Sequence, residues 1–158
     1  MAVFTVARDA DAPAADLWRA LTDWPAHGRW VPFTTVTVTA PGDDAGNGPG
    51  TRFSGRTALG PLGFDDPMEV VVWRPPTPDR PGEVTVRKHG RVVLGWASAT
   101  VTALGPTRSR VEWTEDVEIA PAAWTGWAAP LVVLGGRLAF GHVLRRAARE
   151  AESGAGRG

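Results

Sequence analysis

Two helical segments frame this chain, and what lies between them reads as strand. A short helical stretch follows the first strand, turn-punctuated strand segments come next, and one long helical pattern closes the sequence. Phe4 and Val6, flanked by Val3 and Thr5, mark a first strand over residues 2–8. Pro13 suits a first helical turn, where a missing N–H costs nothing. Leu17, Leu21 and Trp24, with Ala14 and Trp18, recur at three- and four-residue spacing and give that helix one apolar face. Pro25 disfavours helix beyond Asp23, so a second short helix or turn carries His27, Arg29 and Trp30 up to Pro32.

Residues 33–40, 51–59, 66–74, 83–89, 91–103 and 109–119 have strand character, separated by stretches rich in Gly, Pro and Asp. No helical segments alternate with them, so parallel crossovers are not expected and the sheet is predicted to be mostly antiparallel. A closing helix is predicted from Pro130 to about Glu152. Val133, Phe140, Leu144, Ala147 and Ala151 share one of its faces, and its length at 1.5 Å per residue is about 34 Å. Gly135, Gly136 and Gly141 weaken its first half by about 1 kcal/mol each relative to alanine. They are either close-packing points or a bend over a ligand. One domain is expected over residues 1–152, with a disordered tail at 153–158.

Formal net charge is +0, with 17 basic and 17 acidic residues. A nucleic-acid partner is not expected, because neutralising phosphates takes a basic excess. Cysteine is absent, which excludes disulfides, thiolate metal sites and cysteine nucleophiles. The first residues lack a signal-peptide pattern. The longest apolar run, Trp127 to Gly136, falls short of the roughly 20 residues a membrane helix needs, so a cytoplasmic location is expected. Tyrosine is absent and lysine occurs once, at Lys88; both read as codon bias.

The pieces Thr22-Asp23-Trp24 with Trp30-Val31-Pro32, the stretch Arg56 to Val70, and Trp73-Arg74-Pro75-Pro76 occur in a characteristic order. His89-Gly90-Arg91-Val92-Val93 with Gly95, and Ser109 to Asp116, complete it. In that order and spacing the chain resembles the START-like helix-grip superfamily (SRPBCC), in its polyketide cyclase/dehydrase and lipid-transport-like subgroup. The resemblance implies an α+β fold. A curved antiparallel sheet of about six to seven strands wraps a long C-terminal helix, with two short helices after the first strand. It further implies a cavity between sheet and helix for a lipid- or polyketide-like ligand. In cyclase members such a cavity orients a poly-keto chain for aldol closure and dehydration. A fold shared by many functions does not by itself define a reaction.

Strand alternation orients the last strand. With Val111, Val117 and Ile119 inward, Trp113 and Glu115 point inward too, while Glu112, Thr114, Asp116 and Glu118 face water. An inward Glu115 is the candidate catalytic residue. It is a general acid or base, an anchor for a ligand hydroxyl, or a salt-bridge partner for an arginine on a neighbouring strand. The expected ligand-binding set is Trp30, Phe53, Trp96, Trp113, Glu115 and Leu138. Trp18 and Trp24 are assigned to packing the first helix on the sheet. Trp124 and Trp127 offer a lip that either packs at the cavity end or meets a membrane or partner. Arg52 and Arg56 are expected in solvent, and Asp65-Asp66 is read as turn chemistry rather than a dyad. His89 and His142 are expected to be exposed, and His27 lies near the cavity mouth. The three histidines lack an i, i+4 pair, so no metal site is expected. No nucleotide-binding fingerprint or nucleophile elbow occurs, and no cofactor is expected.

Overall fold

The computed structural model describes residues 2–119 and 122–155, with backbone alone at 45 and 122–128. Seven strands form one sheet: β1 (Ala2–Ala10), β2 (Thr34–Ala40), β3 (Arg52–Leu59), β4 (Leu62–Arg74), β5 (Gly82–His89), β6 (Val93–Gly105) and β7 (Arg108–Ile119). Every pairing is antiparallel, in the order β1-β7-β6-β5-β4-β3-β2. The sequence neighbours β1 and β2 therefore occupy opposite edges. The connection between them carries α1 (Ala14–Thr22) and α2 (Trp24–Trp30) across the end of the sheet. Register shifts interrupt the ladders at Val38/Ala40, Val70/Val72 and Ala103/Gly105; such bulges bend and twist the strands they interrupt.

The two short helices are separated at Asp23, whose carboxylate accepts from Ala26 N–H at 3.3 Å and caps α2. The 41–50 loop holds a single turn, α3 (Asp43–Gly46). β4 begins at Leu62, four residues before its predicted start, because Gly60, with φ of 60°, closes a tight hairpin. Asp65 and Asp66 are thus strand residues, and the turn reading is corrected: pairing to Arg56 and Gly55 of β3 overrides their turn preference. As alternation requires, they point to opposite faces.

The closing helix α4 spans Ala122–Ala155, 34 residues, or roughly 51 Å. It starts eight residues before the predicted boundary, and Pro130 is interior rather than N-terminal. It also runs three residues into the segment predicted to be disordered; residues 156–158 lie outside the described residues. Its C-terminal half, through Val143, Leu144, Ala147, Ala148 and Ala151, is buried and closes the core with α1, β1 and β7. Gly136 allows the helix to approach β1 closely, since a Cβ would collide with the Phe4 ring, whereas Gly135 and Gly141 face open space.

Candidate functional site

The space between the N-terminal half of α4 and the sheet is a cavity of about 380 Å³. Three elements wall it. Inward residues of all seven strands form the floor, Trp24, His27 and Val31 of the α2 end form one side, and Leu131, Val132, Gly136, Phe140 and Val143 form the roof. The aromatic rings are locked together. Trp24 stacks on Phe53 with centroids 4.5 Å apart, Trp113 stacks on Phe140 at 4.9 Å, and His27 lies 6.4 Å from Trp113.

One polar cluster interrupts the apolar wall. The charged side chains in the lining are Asp66, Lys88 and Glu115. Lys88 Nζ lies 2.7 Å from Asp66 Oδ2 and 3.1 Å from Glu115 Oε1. The Lys88 and Glu115 side chains are only 6% and 3% exposed, and that of Asp66 is 16% exposed. Trp113 Nε1–H donates to the other Glu115 oxygen, Oε2, at 3.3 Å. Burial opposes the charge on Lys88, but the attraction of Glu115 and Asp66 outweighs it and holds the ammonium above the ordinary lysine range. Lys88 is therefore a cation, with two of its N–H bonds on carboxylates and Met68 Sδ at 3.7 Å.

Register explains how three separated strands meet. Lys88 on β5 faces Met68 on β4, two residues from Asp66, and faces Gly95 on β6. Gly95 in turn faces Val117, two residues from Glu115 on β7. Gly95 has φ of 124°, and a Cβ there would strike the Asp116 carbonyl. Only glycine fits, and no side chain at that position stands between Lys88 and β7.

His27 is the other titratable group of the wall. Its Nε2 lies 2.7 Å from Leu21 O; a carbonyl only accepts, so Nε2 carries the hydrogen. Burial pushes the imidazole below its ordinary value, against the opposing pull of Leu21 O and Asp23. A neutral ring in this tautomer leaves Nδ1 as an acceptor.

Of the residues read from sequence, Phe53, Trp113 and Glu115 line the cavity, and Trp30, Trp96 and Leu138 do not. Trp30 is buried against the His27 ring, 5.2 Å away. It sits six residues after Trp24, and at 3.6 residues per turn the helix has rotated it off the cavity side. Trp96 is 40% exposed, because Ala97 and Ala99 are the inward residues of β6. Leu138 is 66% exposed, two residues from both Gly136 and Phe140, which puts it across the helix from them. Trp24, assigned to packing alone, lines the cavity, while Trp18 packs on Trp73. Glu115 does pair with a cation, but with Lys88 two strands away rather than with a neighbouring arginine. Asp116, expected in water, is buried, flanked in the ladders by Trp96 and Val3 on its own face.

Arg52 and Arg56 are exposed and pair with Glu69 and Asp65. His89 is exposed, and His142 is half-buried. The side chains of Trp124 and Trp127 lie outside the described residues. Among the described residues, no group of three or more His, Asp and Glu could hold a metal ion, and no helix is long and apolar enough to cross a membrane. Sequence reading missed Lys88 and Asp66. Alternation carried the signal: Lys88 shares its face with Val84 and Val86, and Asp66 shares its face with Met68 and Val70.

Comparison with solved structures places this geometry in a known fold. The chain superposes on a protein from Thermus thermophilus, TTHA0849, with a TM-score of 0.76 at 15% identity, covering 97% of this chain and 99% of that one. A START superfamily protein from Mycobacterium smegmatis gives 0.64 at 15%, covering 98% and 97%. The Zhui aromatase/cyclase from Streptomyces sp. R1128 gives 0.67 at 14%, covering 95% and 93%. At these identities the likeness establishes the fold. No curated protein matches by sequence. The family described as "Polyketide cyclase / dehydrase and lipid transport" matches residues 1–152. With that match over nearly the whole chain, on a seven-stranded sheet gripping a long terminal helix, the protein belongs to the polyketide cyclase / dehydrase and lipid transport family.

Proposed function

We propose that this protein binds a small hydrophobic molecule, lipid- or polyketide-like, in the cavity between the sheet and α4. The observation that carries this reading is an apolar cavity of about 380 Å³ with one buried charged cluster, Asp66–Lys88–Glu115. Small-molecule sites commonly have that form, at roughly 300–1,000 Å³ with a few placed polar groups. Burial of ligand surface supplies affinity, at about 25 cal/mol per Å² of apolar area, and the cluster sets orientation. Native mass spectrometry of the purified protein tests it. A bound small molecule released on denaturation supports the reading. An apo mass, with no uptake of added aliphatic or aromatic compounds, overturns it.

A second reading is turnover in the same cavity, by an aromatase/cyclase or dehydrase acting on a polyketide-type substrate. It is favoured by the cluster's chemistry: a carboxylate oxygen of Asp66 has no partner among the described residues and can act as a base beside a fixed cation. A poly-keto substrate assay separates the two, since turnover must disappear in Asp66→Asn while a binder shows none in either form.

A further inference from the structure

The hydrogen-bonding capacity left over in the cavity wall specifies the ligand's polar end. Most of the cavity's donors and acceptors have a partner. Lys88 directs its N–H bonds to Asp66, Glu115 and Met68, and both Glu115 oxygens are taken, by Lys88 and by the Trp113 indole. The hydroxyls of Thr34 and Thr57 are 2.9 Å apart and bond each other. His27 donates to Leu21 O and leaves only an acceptor. Among the described residues, two buried cavity atoms then have no partner: Asp66 Oδ1, an anionic acceptor, and Trp24 Nε1, a neutral donor on a residue 1% exposed.

The charge count points the same way. Two carboxylates share one ammonium, so the ionised cluster carries a net negative charge in an apolar wall. A ligand carboxylate or phosphate would meet that charge with no uncommitted cation to receive it. A hydroxyl fits on both counts: its O–H donates to Asp66 Oδ1, and an oxygen of the same molecule can accept from Trp24 Nε1–H. Leaving either buried group unpaired costs about 1–3 kcal/mol.

We infer that the cavity selects neutral, hydroxyl-bearing apolar molecules and rejects carboxylates of the same size. This deepens the binding reading above and rests on it. The lone lysine of the chain is thus a structural counter-ion rather than an anchor for an acidic head group.

The test is isothermal titration calorimetry of the full chain with decan-1-ol and with decanoate at pH 7.5. These probes share an apolar body and differ at the polar end. The expected result is at least about tenfold tighter binding of the alcohol, the ratio corresponding to roughly 1.4 kcal/mol. In Asp66→Asn the cluster becomes neutral and the ratio should shrink several-fold, chiefly because decanoate gains. The wild-type ratio tests the inference without any variant, so the outcome does not depend on how well Asp66→Asn folds. Equal affinities, or tighter decanoate, overturn the selectivity and leave cavity binding standing. Failure of both probes to bind removes the cavity reading and this inference together.

Discussion

Removing the lysine ammonium is the sharpest perturbation of the site. Lys88→Met keeps an unbranched apolar stem and deletes the charge, leaving Asp66 and Glu115 facing each other's field without a counter-ion. At separations of 2.7 and 3.1 Å, and an effective dielectric constant near 20, the two attractions are worth about 6 and about 5 kcal/mol gross. Desolvating the three charges opposes most of this. The net loss expected on breaking a buried pair is about 3–5 kcal/mol. For a chain of this size each kcal/mol moves the melting temperature by roughly 2–4 °C, so Lys88→Met should melt roughly 6–20 °C below the wild type. Urea denaturation at pH 7.5 measures it directly. One companion result is expected. The triple variant Lys88→Met, Asp66→Asn, Glu115→Gln, which has no buried charge, is more stable than Lys88→Met alone. A loss under about 1 kcal/mol, the scale of exposed ion pairs, would show that the cluster is solvated and would refute the buried-cluster reasoning.

Three further predictions rest on separate observations. Burial holds His27 below the ordinary histidine value of 6.5, so the unfolded chain takes up this proton more readily than the folded one. The stability it contributes is complete above about 6.5 and declines as pH falls below that toward the folded value. Unfolding free energy should drop between pH 7.5 and pH 5, and His27→Gln should flatten the drop; an unchanged slope in the variant would rule out His27 as its source. Gly141 faces open space and Gly136 faces the Phe4 ring. Gly141→Ala should therefore stabilise α4 by up to about 1 kcal/mol, while Gly136→Ala loses that gain to overpacking of about 1–3 kcal/mol. Equal shifts in the two melting temperatures would contradict the close contact. Glu115→Gln leaves Lys88 with Asp66 and should keep the fold, as circular dichroism would show. It should change the decanol-to-decanoate ratio, and an unchanged ratio would remove Glu115 from ligand selection.

The sheet and its strand faces were legible because side chains alternate along a strand whatever its partners are. Val111, Trp113 and Glu115 share a face by covalent geometry, and Phe53 and Trp113 reach the cavity on that argument alone. The departures have the same physical root. Size alone suggests Trp96 and Leu138 as lining, although the rule of two on β6 and the helical rotation about Gly136 both turn them outward. Asp65-Asp66 carries turn chemistry locally, and only ladder pairing to β3 makes it strand. Pro130 suits a helix start as well as a helix interior by local sequence, and nothing local shows that α4 begins at Ala122.

By itself the sequence determined the order of elements, the antiparallel class and an inward Glu115, since these follow from periodicity and from the limits on proline and glycine. It could not determine the Asp66–Lys88–Glu115 cluster. Those three residues are separated by 22 and 27 positions in the chain, and they meet only because the β4-β5-β6-β7 register lines them up and Gly95 leaves the way across β6 open. Inter-strand register is a property of the assembled sheet. Lys88 therefore reads as a codon accident in one dimension and as the centre of the cavity's electrostatics in three.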